Sequence, residues 1–277
     1  MQQPIGVFDS GVGGLTVLRA LQQALPQESF IYLGDTARLP YGTKSAATVE
    51  RYALQAADAL VRRGIKALVV ACNTASAAAL EALHARYRQL PVIGVIEPGA
   101  QAVAAASRSG RILVLATEGT VRGGAYQRAI ARLRPDAEVT SIACQLFVAL
   151  AEEGWIDGAV VDVTIDRYLR PLFGAALDGA PVASGAPDAI VLGCTHFPVL
   201  REAIARAVGP AVTLVDSAAT TALAVRERLT ADGLVVSAAA VPAVQFLATD
   251  SAARFAAVGG RFLGRPMAAG SVEPIDL

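Results

Sequence analysis

Two cysteines in different halves of the chain follow similar apolar runs. Cys72 comes after ALVVA and before Asn-Thr, and Cys194 comes after AIVLG and before Thr-His. Each apolar run is typical of a buried strand, and each cysteine precedes a stretch that we expect to be helical. A helix amino terminus stabilises an anion, so a cysteine there is expected to have a pKa lowered from ~8.5. We therefore interpret Cys72 and Cys194 as reactive thiols, and Cys144, inside SIACQLFV, as a small buried hydrophobe.

Spacing argues against several chemistries of cysteine. A cysteine phosphatase needs Cys-x5-Arg, but six residues separate Cys194 from Arg201. A zinc site built from Cys72, Cys194 and His196 lacks a clear fourth ligand. A Cys–His hydrolase would have to use His196, because His84 is expected on a helix surface. The sequence has no CxxC motif, although a redox pair of distant cysteines stays open as an alternative.

Two thiols that face each other across a cleft suit the racemisation of an amino acid. The Cα–H bond is weakly acidic, and inversion needs a base on one face and an acid on the other. Asp9 near Cys72, and His196 near Cys194, would assist the two proton transfers. An amino-acid-binding protein with inert thiols is the alternative from another functional class.

Polar residues are concentrated where the predicted strands end. In parallel sheets, ligands bind beyond the carboxyl ends of the strands. For Asp35, Glu97 and Asp216 we expect no more than helix capping. The other polar residues at strand ends are Asp9, Ser10, Thr36, Asn73, Thr74, Thr117, Glu118, Thr120, Thr195, His196 and Ser217.

The stretch FDSGVGGLT, residues 8–16, has the order of strand, glycine turn and helix that nucleotide-binding loops use. The sixth position of Gly-x-Gly-x-x-Gly is Thr16, however, and Asp9 would repel a pyrophosphate. We expect the glycines to let the chain turn tightly into a helix. The amino end of this helix, together with Ser10, is then expected to hold a small anionic group such as a carboxylate.

The composition favours a soluble protein of the cytoplasm. The 277 residues are 54% hydrophobic, and 24 basic residues balance 24 acidic ones. A neutral balance gives no electrostatic reason to expect nucleic acid or an anionic membrane as a partner. No apolar run approaches the ~18 residues of a membrane span, and the first residues do not resemble a signal peptide. Only Lys44 and Lys66 are lysines, and Lys66, at the start of a predicted strand, is badly placed for the imine of a pyridoxal cofactor, so we do not expect that cofactor.

Short apolar runs alternate with alanine-rich amphipathic stretches, which predicts an α/β fold with mainly parallel sheets. The predicted strands are PIGVFD, FIYLGD, ALVVAC, PVIGVI, RILVLA, AEVTSIA, AIVLGC, VTLVD and VQFLA. The predicted helices include residues 15–25, 44–63, 75–88, 101–107 and 123–133.

Several motifs resemble the glutamate racemase family of the aspartate/glutamate racemase superfamily. They occur in family order and are FDSGVGGLTVL, YLGDTARLPYG, ACNTASA, PVIGVIEP, ATEGTV, FVALAEEG, VLGCTHFPVL and LVDSA. The resemblance implies interconversion of L- and D-glutamate without a metal or cofactor, and D-glutamate supply for peptidoglycan. DSGVGG and LPYG favour glutamate over aspartate, whose racemisation is the nearest alternative.

The resemblance also implies roles for individual residues. Cys72 would act on the D-enantiomer and Cys194 on the L-enantiomer, with Asp9, Glu152 and His196 assisting proton transfer. The implied substrate contacts are Asp9, Ser10, Pro40, Tyr41, Gly42, Cys72, Asn73, Thr74, Thr117, Thr120, Cys194, Thr195 and His196.

The segment around Glu152 departs from the family pattern. Members usually read CP-x-FVPLVE-x-G, whereas this chain reads CQLFVALAEEG, with Gln145 and Ala149 in place of the two prolines. Because Glu153 adjoins Glu152, both carboxylates are candidates for the assisting role.

The family fold implies two similar three-layer α/β domains with the active site in the cleft between them. On this basis the first domain would hold residues 1–97 and 212–267, and the second would hold residues 98–211. Residues 268–277 are expected to form a loose tail. Dimers are common in the family, so the resemblance implies a homodimer.

Overall fold

The structure is a computed structural model that describes residues 3–236 and 241–277. Residues 1–2 and 237–240, which belong to the predicted first domain, lie outside this part of the chain. The strands are β1 Ile5–Asp9, β2 Phe30–Gly34, β3 Ala67–Val70, β4 Val92–Gly94, β5 Arg111–Ala116, β6 Glu138–Ala143, β7 Ala189–Gly193, β8 Thr213–Asp216, β9 Val244–Ala248 and β10 Val272–Pro274. The helices are α1 Leu15–Ala24, α2 Ala46–Val61, α3 Asn73–Arg86, α4 Ile96–Ala106, α5 Glu118–Gly123, α6 Ala125–Leu133, α7 Gln145–Glu153, α8 Ala159–Phe173, α9 Arg201–Val208, α10 Ser217–Ala231 and α11 Ala252–Leu263.

The strands form two sheets. The six-stranded sheet has the order β10-β9-β2-β1-β3-β4, and the four-stranded sheet has the order β6-β5-β7-β8. All the strand pairs in the described residues are parallel. The predicted α/β class with mainly parallel sheets is therefore confirmed, and all nine predicted strands are present.

Helices cover both faces of each sheet. One face of the six-stranded sheet packs against α1, α10 and α11, and the other packs against α2 and α3. The four-stranded sheet packs against α7, α8 and α9 on one face and against α4 and α6 on the other. Parallel strands buried on both faces need continuous apolar runs, which is why IGVFD, ALVV and AIVLG contain so few polar residues.

The strand pairing differs from the predicted domain limits in two places. The predicted boundary at residue 212 assigns VTLVD to the first domain, but β8 pairs with β7 in the four-stranded sheet. The predicted loose tail contains β10, which pairs with β9 at the edge of the six-stranded sheet. Three residues are too short a run to be distinguished from a loop by periodicity, so the sequence did not reveal β10. The division into domains stays a prediction.

The helices also begin in places that the sequence did not indicate. The structure extends α4 back to Ile96, five residues before the predicted start, and α3 begins directly after Cys72. Within the described residues, none of the helices is both long enough and apolar enough to cross a membrane.

Candidate active site

Strands from both sheets end at one cavity. Cys72 follows β3 of the six-stranded sheet, Cys194 follows β7 of the four-stranded sheet, and both thiols line this cavity. The space that a water-sized sphere can occupy in it is about 40 Å³, so the walls of the cavity lie close together. The lining residues are Ser10, Gly11, Leu39, Pro40, Tyr41, Gly42, Cys72, Asn73, Thr74, Thr117, Gln145, Val148, Glu152, Cys194, Thr195 and His196.

Most of the predicted site residues line this cavity, and two lie behind its wall. Asp9 is completely buried beneath it, and Thr120 bonds to Thr117 from behind. The sequence missed four lining residues, which are Gly11, Leu39, Gln145 and Val148. Leu39 and Val148 are apolar and cannot be told from core residues in the sequence, whereas Gln145 differs from the family pattern but carries no sign of a role at the site.

Cys72 is the N-cap of α3, as its position after a strand predicts. Its Sγ accepts a hydrogen bond from the Ala75 backbone N–H at 3.4 Å and donates one to Ser10 Oγ at 3.7 Å. Burial, together with the negative charge of Asp9, nevertheless raises the pKa of the Cys72 thiol to about 12. The prediction of a lowered pKa is therefore wrong for this cysteine, because loss of hydration outweighs the helix terminus.

Asp9 connects the first glycine turn to the loop after β7. Its Oδ2 accepts a hydrogen bond from the Gly11 backbone N–H at 3.0 Å, and its Oδ1 accepts one from Thr195 Oγ1 at 3.4 Å. Burial raises the pKa of Asp9, and the nearby charge of His196 opposes this shift. Asp9 is thus close enough to interact electrostatically with both the Cys72 thiol and the His196 ring.

Cys194, His196 and Glu152 form a chain of contacts. His196 Nδ1 lies 3.8 Å from Cys194 Sγ, and His196 Nε2 lies 3.1 Å from Glu152 Oε1. Burial opposes a charge on His196, but its bonds to Cys194 and Glu152 outweigh burial and raise the pKa of the imidazole to about 10. The hydrogen bond from His196 lowers the pKa of Glu152 in turn. Glu153 points to the exposed side of α7, so the geometry selects Glu152 as the carboxylate at the cavity.

Asn73 and several threonines supply neutral polar groups. Thr74 Oγ1 lies 2.9 Å from Thr117 Oγ1, so these hydroxyls join α3 to the loop after β5. Asn73 Oδ1 accepts a hydrogen bond from Tyr126 OH at 2.8 Å. Asn73 Nδ2 is buried and has no hydrogen-bond partner among the described residues. A buried donor at a cavity wall is costly to leave unpaired, so this amide is suited to receiving an acceptor from a ligand.

Residues 40–42 form one wall of the cavity, and hydrogen bonds to Asp35 stabilise this wall. This buried carboxylate accepts hydrogen bonds from Arg38 Nε at 2.7 Å, from Thr249 Oγ1 at 2.9 Å and from Tyr41 OH. The prediction that Asp35 is an ordinary helix cap is therefore wrong. No local pattern pairs Asp35 with Thr249, because the two residues meet only through the pairing of β2 with β9.

The two remaining acids that were expected to cap helices behave differently from each other. Asp216 accepts a hydrogen bond from the Ala218 backbone N–H at 2.7 Å and caps α10, as predicted. Glu97 lies inside the first turn of α4 and forms an ion pair with Arg132, so that its predicted capping role is wrong.

The glycine turn before α1 packs closely against neighbouring residues of the site. A Cβ atom on Gly13 would lie 2.4 Å from His196 Nδ1, and one on Gly14 would lie 2.5 Å from Asp9 Cβ. Contacts this short are not available to other residue types. The glycines therefore let the loop after β7 approach the turn, and Ser10 and Gly11 face the cavity.

All three cysteines are free thiols. Cys144 is fully buried in the core beneath α7, and burial raises its pKa, as expected of a small hydrophobe. Across residues 3–236 and 241–277, no group of three or more His, Cys, Asp or Glu side chains has a geometry suited to a metal ion. The suggested set of Cys72, Cys194 and His196 is thus not gathered as a metal site.

Two parallel sheets that each give one thiol to a shared cavity are an arrangement that an isomerase with two acid/base groups would need. Residues 5–225 match the Asp/Glu/hydantoin racemase family, and the chain belongs to that family. It is 52% identical over 273 residues to a glutamate racemase of Geobacter metallireducens, covering 99% of this chain and 96% of that protein.

Solved structures agree with this assignment. A glutamate racemase isoform from Bacillus anthracis superposes with a TM-score of 0.89 at 36% identity, covering 99% of this chain and 98% of that one. The Francisella tularensis glutamate racemase, solved in complex with D-glutamate, has a TM-score of 0.88 at 36% identity, with the same coverage.

Proposed function

We propose that this protein interconverts L- and D-glutamate without a cofactor, with Cys72 and Cys194 as the acid/base pair. The observation that carries the proposal is one thiol from each sheet at a single cavity, each with its own polar partners. The glutamate racemases among its relatives, one of them bound to D-glutamate, support the choice of substrate.

For L-glutamate, the Cys194 thiolate removes the proton from Cα. The electron pair of the broken C–H bond stays on Cα and delocalises into the α-carboxylate. Cys72 then donates its thiol proton to the other face, which forms the new C–H bond and leaves Cys72 as a thiolate. Cys194 is now protonated, and this form of the enzyme is the one that acts on D-glutamate.

The charges of the site favour one protonation form of the free enzyme. Since the pKa of Cys72 is raised to about 12, Cys72 is a thiol at neutral pH and ready to donate. Since the pKa of His196 is raised to about 10, the imidazole is protonated at neutral pH, and its Nδ1–H is directed at Cys194 Sγ, 3.8 Å away. The free enzyme therefore holds a proton on Cys72 and one on the His196 ring beside Cys194.

The polar lining matches a substrate with two carboxylates and one ammonium. The unpaired Asn73 amide and the hydroxyl pair of Thr74 and Thr117 offer donors for a carboxylate, and Thr195, whose hydroxyl donates to Asp9, lines the same cavity. The hydroxyl of Ser10, before α1, is a further hydrogen-bonding group at the cavity. Asp9 provides the negative charge that an ammonium requires, and Thr120 holds Thr117 from behind.

The product, D-glutamate, would supply peptidoglycan synthesis from the cytoplasm. A homodimer is part of the same proposal, because assembly in pairs is common in the family. Gel filtration coupled to light scattering measures the mass of the enzyme in solution directly.

The activity is tested by following the circular dichroism of L-glutamate with purified protein and no added cofactor. We expect the signal to decay to zero, and we expect deuterium at Cα when the reaction is run in deuterated water. Loss of signal with aspartate but not with glutamate would identify an aspartate racemase instead. Binding of glutamate without exchange or racemisation would identify a binding protein.

A further inference from the structure

Helix α11 belongs to the six-stranded sheet, yet it reaches the Glu152–His196 pair on the other side of the cavity. It packs on α1 through buried residues that include Phe255, Phe262 and Leu263. Glu152 and His196, by contrast, lie on α7 and on the loop after β7, which belong to the four-stranded sheet. The carboxyl-terminal end of α11 therefore contacts residues that belong to both sheets.

Phe262 contacts the imidazole of His196 directly. The two ring centroids lie 5.1 Å apart with an interplanar angle of 74°, which is an edge-to-face arrangement. Phe262 is fully buried, so its own ring is fixed by the core around it. Such a contact restricts rotation of the imidazole and keeps Nδ1 directed at Cys194 while Nε2 faces Glu152.

Arg261 holds the other member of the pair. Its Nη1 donates a hydrogen bond to the backbone carbonyl oxygen of Glu152 at 2.6 Å. Its guanidinium lies over Gly154, where a Cβ atom would come within 2.8 Å of the arginine Cζ. The carbonyls of the last helical turn lack partners within their own helix, so Arg261 caps the end of α7 from outside.

Arg254 lies about two turns before Arg261 in α11. It brings a positive charge near Glu152 but does not form a hydrogen bond with it. Its Nη2 lies 4.0 Å from Glu152 Oε2, and the side chain is mostly exposed. This separation is too long for a direct bond and leaves solvent access. Phe262 and Arg261 are thus the contacts that fix positions.

We propose that α11 sets the alignment of His196 and Glu152, with Phe262 and Arg261 as positioning residues for the proton transfer at Cys194. The inference rests on the proposed function, because it concerns one of the two proton transfers of that reaction. Neither residue contacts the cavity, and each acts through the residue that it holds. Among the described residues, no hydrogen bond joins Arg261 to Cys72, Ser10 or Asp9, and the ring contact of Phe262 on this site is the one with His196.

The test measures kcat/KM and primary deuterium isotope effects for Phe262→Leu and Arg261→Ala, with 2-deuterated L- and D-glutamate. Enantiomers have equal free energies in water, so kcat/KM must fall equally in both directions. We expect a loss of roughly tenfold, within the ~10²-fold that misplacement of a catalytic group costs. If transfer at Cys194 becomes slower, the isotope effect rises for L-glutamate and falls towards one for D-glutamate.

Glu152→Gln is measured in the same experiment. It shows in which direction the two isotope effects change when proton transfer at Cys194 is impaired. Isotope effects that shift in the same direction as in Glu152→Gln support the inference, and Arg261→Lys should restore most of the rate. Unchanged isotope effects, or shifts in the opposite direction, would overturn it. This comparison does not depend on which enantiomer each cysteine serves.

Two variants control for loss of packing and of charge. Phe255→Leu removes another buried aromatic ring from α11, one that packs on Tyr32 with centroids 6.0 Å apart. Arg228→Ala removes an arginine of α10 that bonds to Asp232. We expect isotope effects like those of the wild type in both. A wild-type enzyme with neither racemisation nor Cα exchange would instead overturn the proposed function.

Discussion

His196 Nε2 lies 3.1 Å from Glu152 Oε1, although the two residues are 44 positions apart in the chain. The contact joins α7 to the loop after β7, and the negative charge of Glu152 helps to keep the imidazole protonated. Because the other nitrogen of the ring lies 3.8 Å from Cys194 Sγ, the state of Glu152 is transmitted to the thiol. The three side chains are therefore linked by contacts at one side of the cavity.

Glu152→Gln should lower kcat/KM by about tenfold or more, since general acid–base assistance contributes roughly 10²–10⁴-fold. Without the carboxylate, the pKa of His196 falls from about 10. The alkaline limb of the pH profile for kcat/KM should then move to lower pH. Glu153→Gln is the matched control, because Glu153 is exposed on the same helix and should leave rate and profile unchanged. Equal effects of the two variants would contradict the assignment.

The sequence predicts the elements well because each strand is a distinct apolar run between helical stretches. It also predicts most of the cavity, since Ser10, Cys72 and Cys194 all follow strands whose ends meet. It does not predict Asp35 as the support of the cavity wall, because its partner Thr249 is far away in the chain. Nor does it predict the raised pKa of Cys72, which depends on burial and on Asp9, neither of which local sequence reveals.

The family motifs located Glu152 but could not choose between it and Glu153. That choice depends on which side of α7 faces His196. The sequence of the helix alone does not say how the helix is oriented against the loop after β7. Phe262 and Arg261 do not belong to any of the family motifs. Their contacts with His196 and Glu152 form only because α11 packs against residues of both sheets. Contacts of this kind become visible only when the relative placement of the helices is known.

Cys72→Ser and Cys194→Ser should each abolish racemisation, because inversion requires both an acid and a base. A serine hydroxyl is far less acidic than a thiol and cannot replace it in either role. Circular dichroism of L-glutamate measures the loss. Cys144→Ala should retain activity, since this thiol lies in the core under α7. Normal turnover in either of the first two variants would exclude the two-base mechanism.

Gly13→Ala should greatly reduce activity. The added Cβ would lie 2.4 Å from His196 Nδ1 and 2.5 Å from Thr195 Oγ1, so that the loop after β7 must move. Overpacking of this kind also costs about 1–3 kcal/mol of folding stability. Urea unfolding and kcat/KM measure the two effects. Gly270→Ala is the control, because no atom lies within 4 Å of the Cβ position there; a similar loss in both variants would contradict the packing argument.

Asn73→Ala should raise the KM for glutamate by about tenfold or more, since a hydrogen bond to a charged group contributes ~1.5–3 kcal/mol. The side-chain amide is buried at the cavity, and its Nδ2 has no hydrogen-bond partner in the part of the chain that the structure describes. Initial rates at several glutamate concentrations separate KM from kcat. Asn73→Ala with an unchanged KM would show that this amide does not contact the substrate.

Folding stability should fall as the pH rises above about 6.5, the ordinary pKa of histidine. Folding raises the pKa of His196 to about 10, so the folded protein holds a proton that the unfolded chain has already released. The stabilisation is fully present below pH ~6.5 and is lost as the pH approaches the folded value. Cys72, whose pKa is also raised, adds a loss in the same direction at higher pH.

The urea midpoint of unfolding, measured from pH 6 to pH 10, tests this expectation. The wild type should lose stability continuously over that range, whereas His196→Asn should show a flatter profile up to the pH at which free thiols ionise. His196→Asn lacks only the titrating ring, so ionisation of tyrosines and lysines affects both proteins equally. Parallel profiles for the two proteins would show that His196 is not protonated in the folded enzyme.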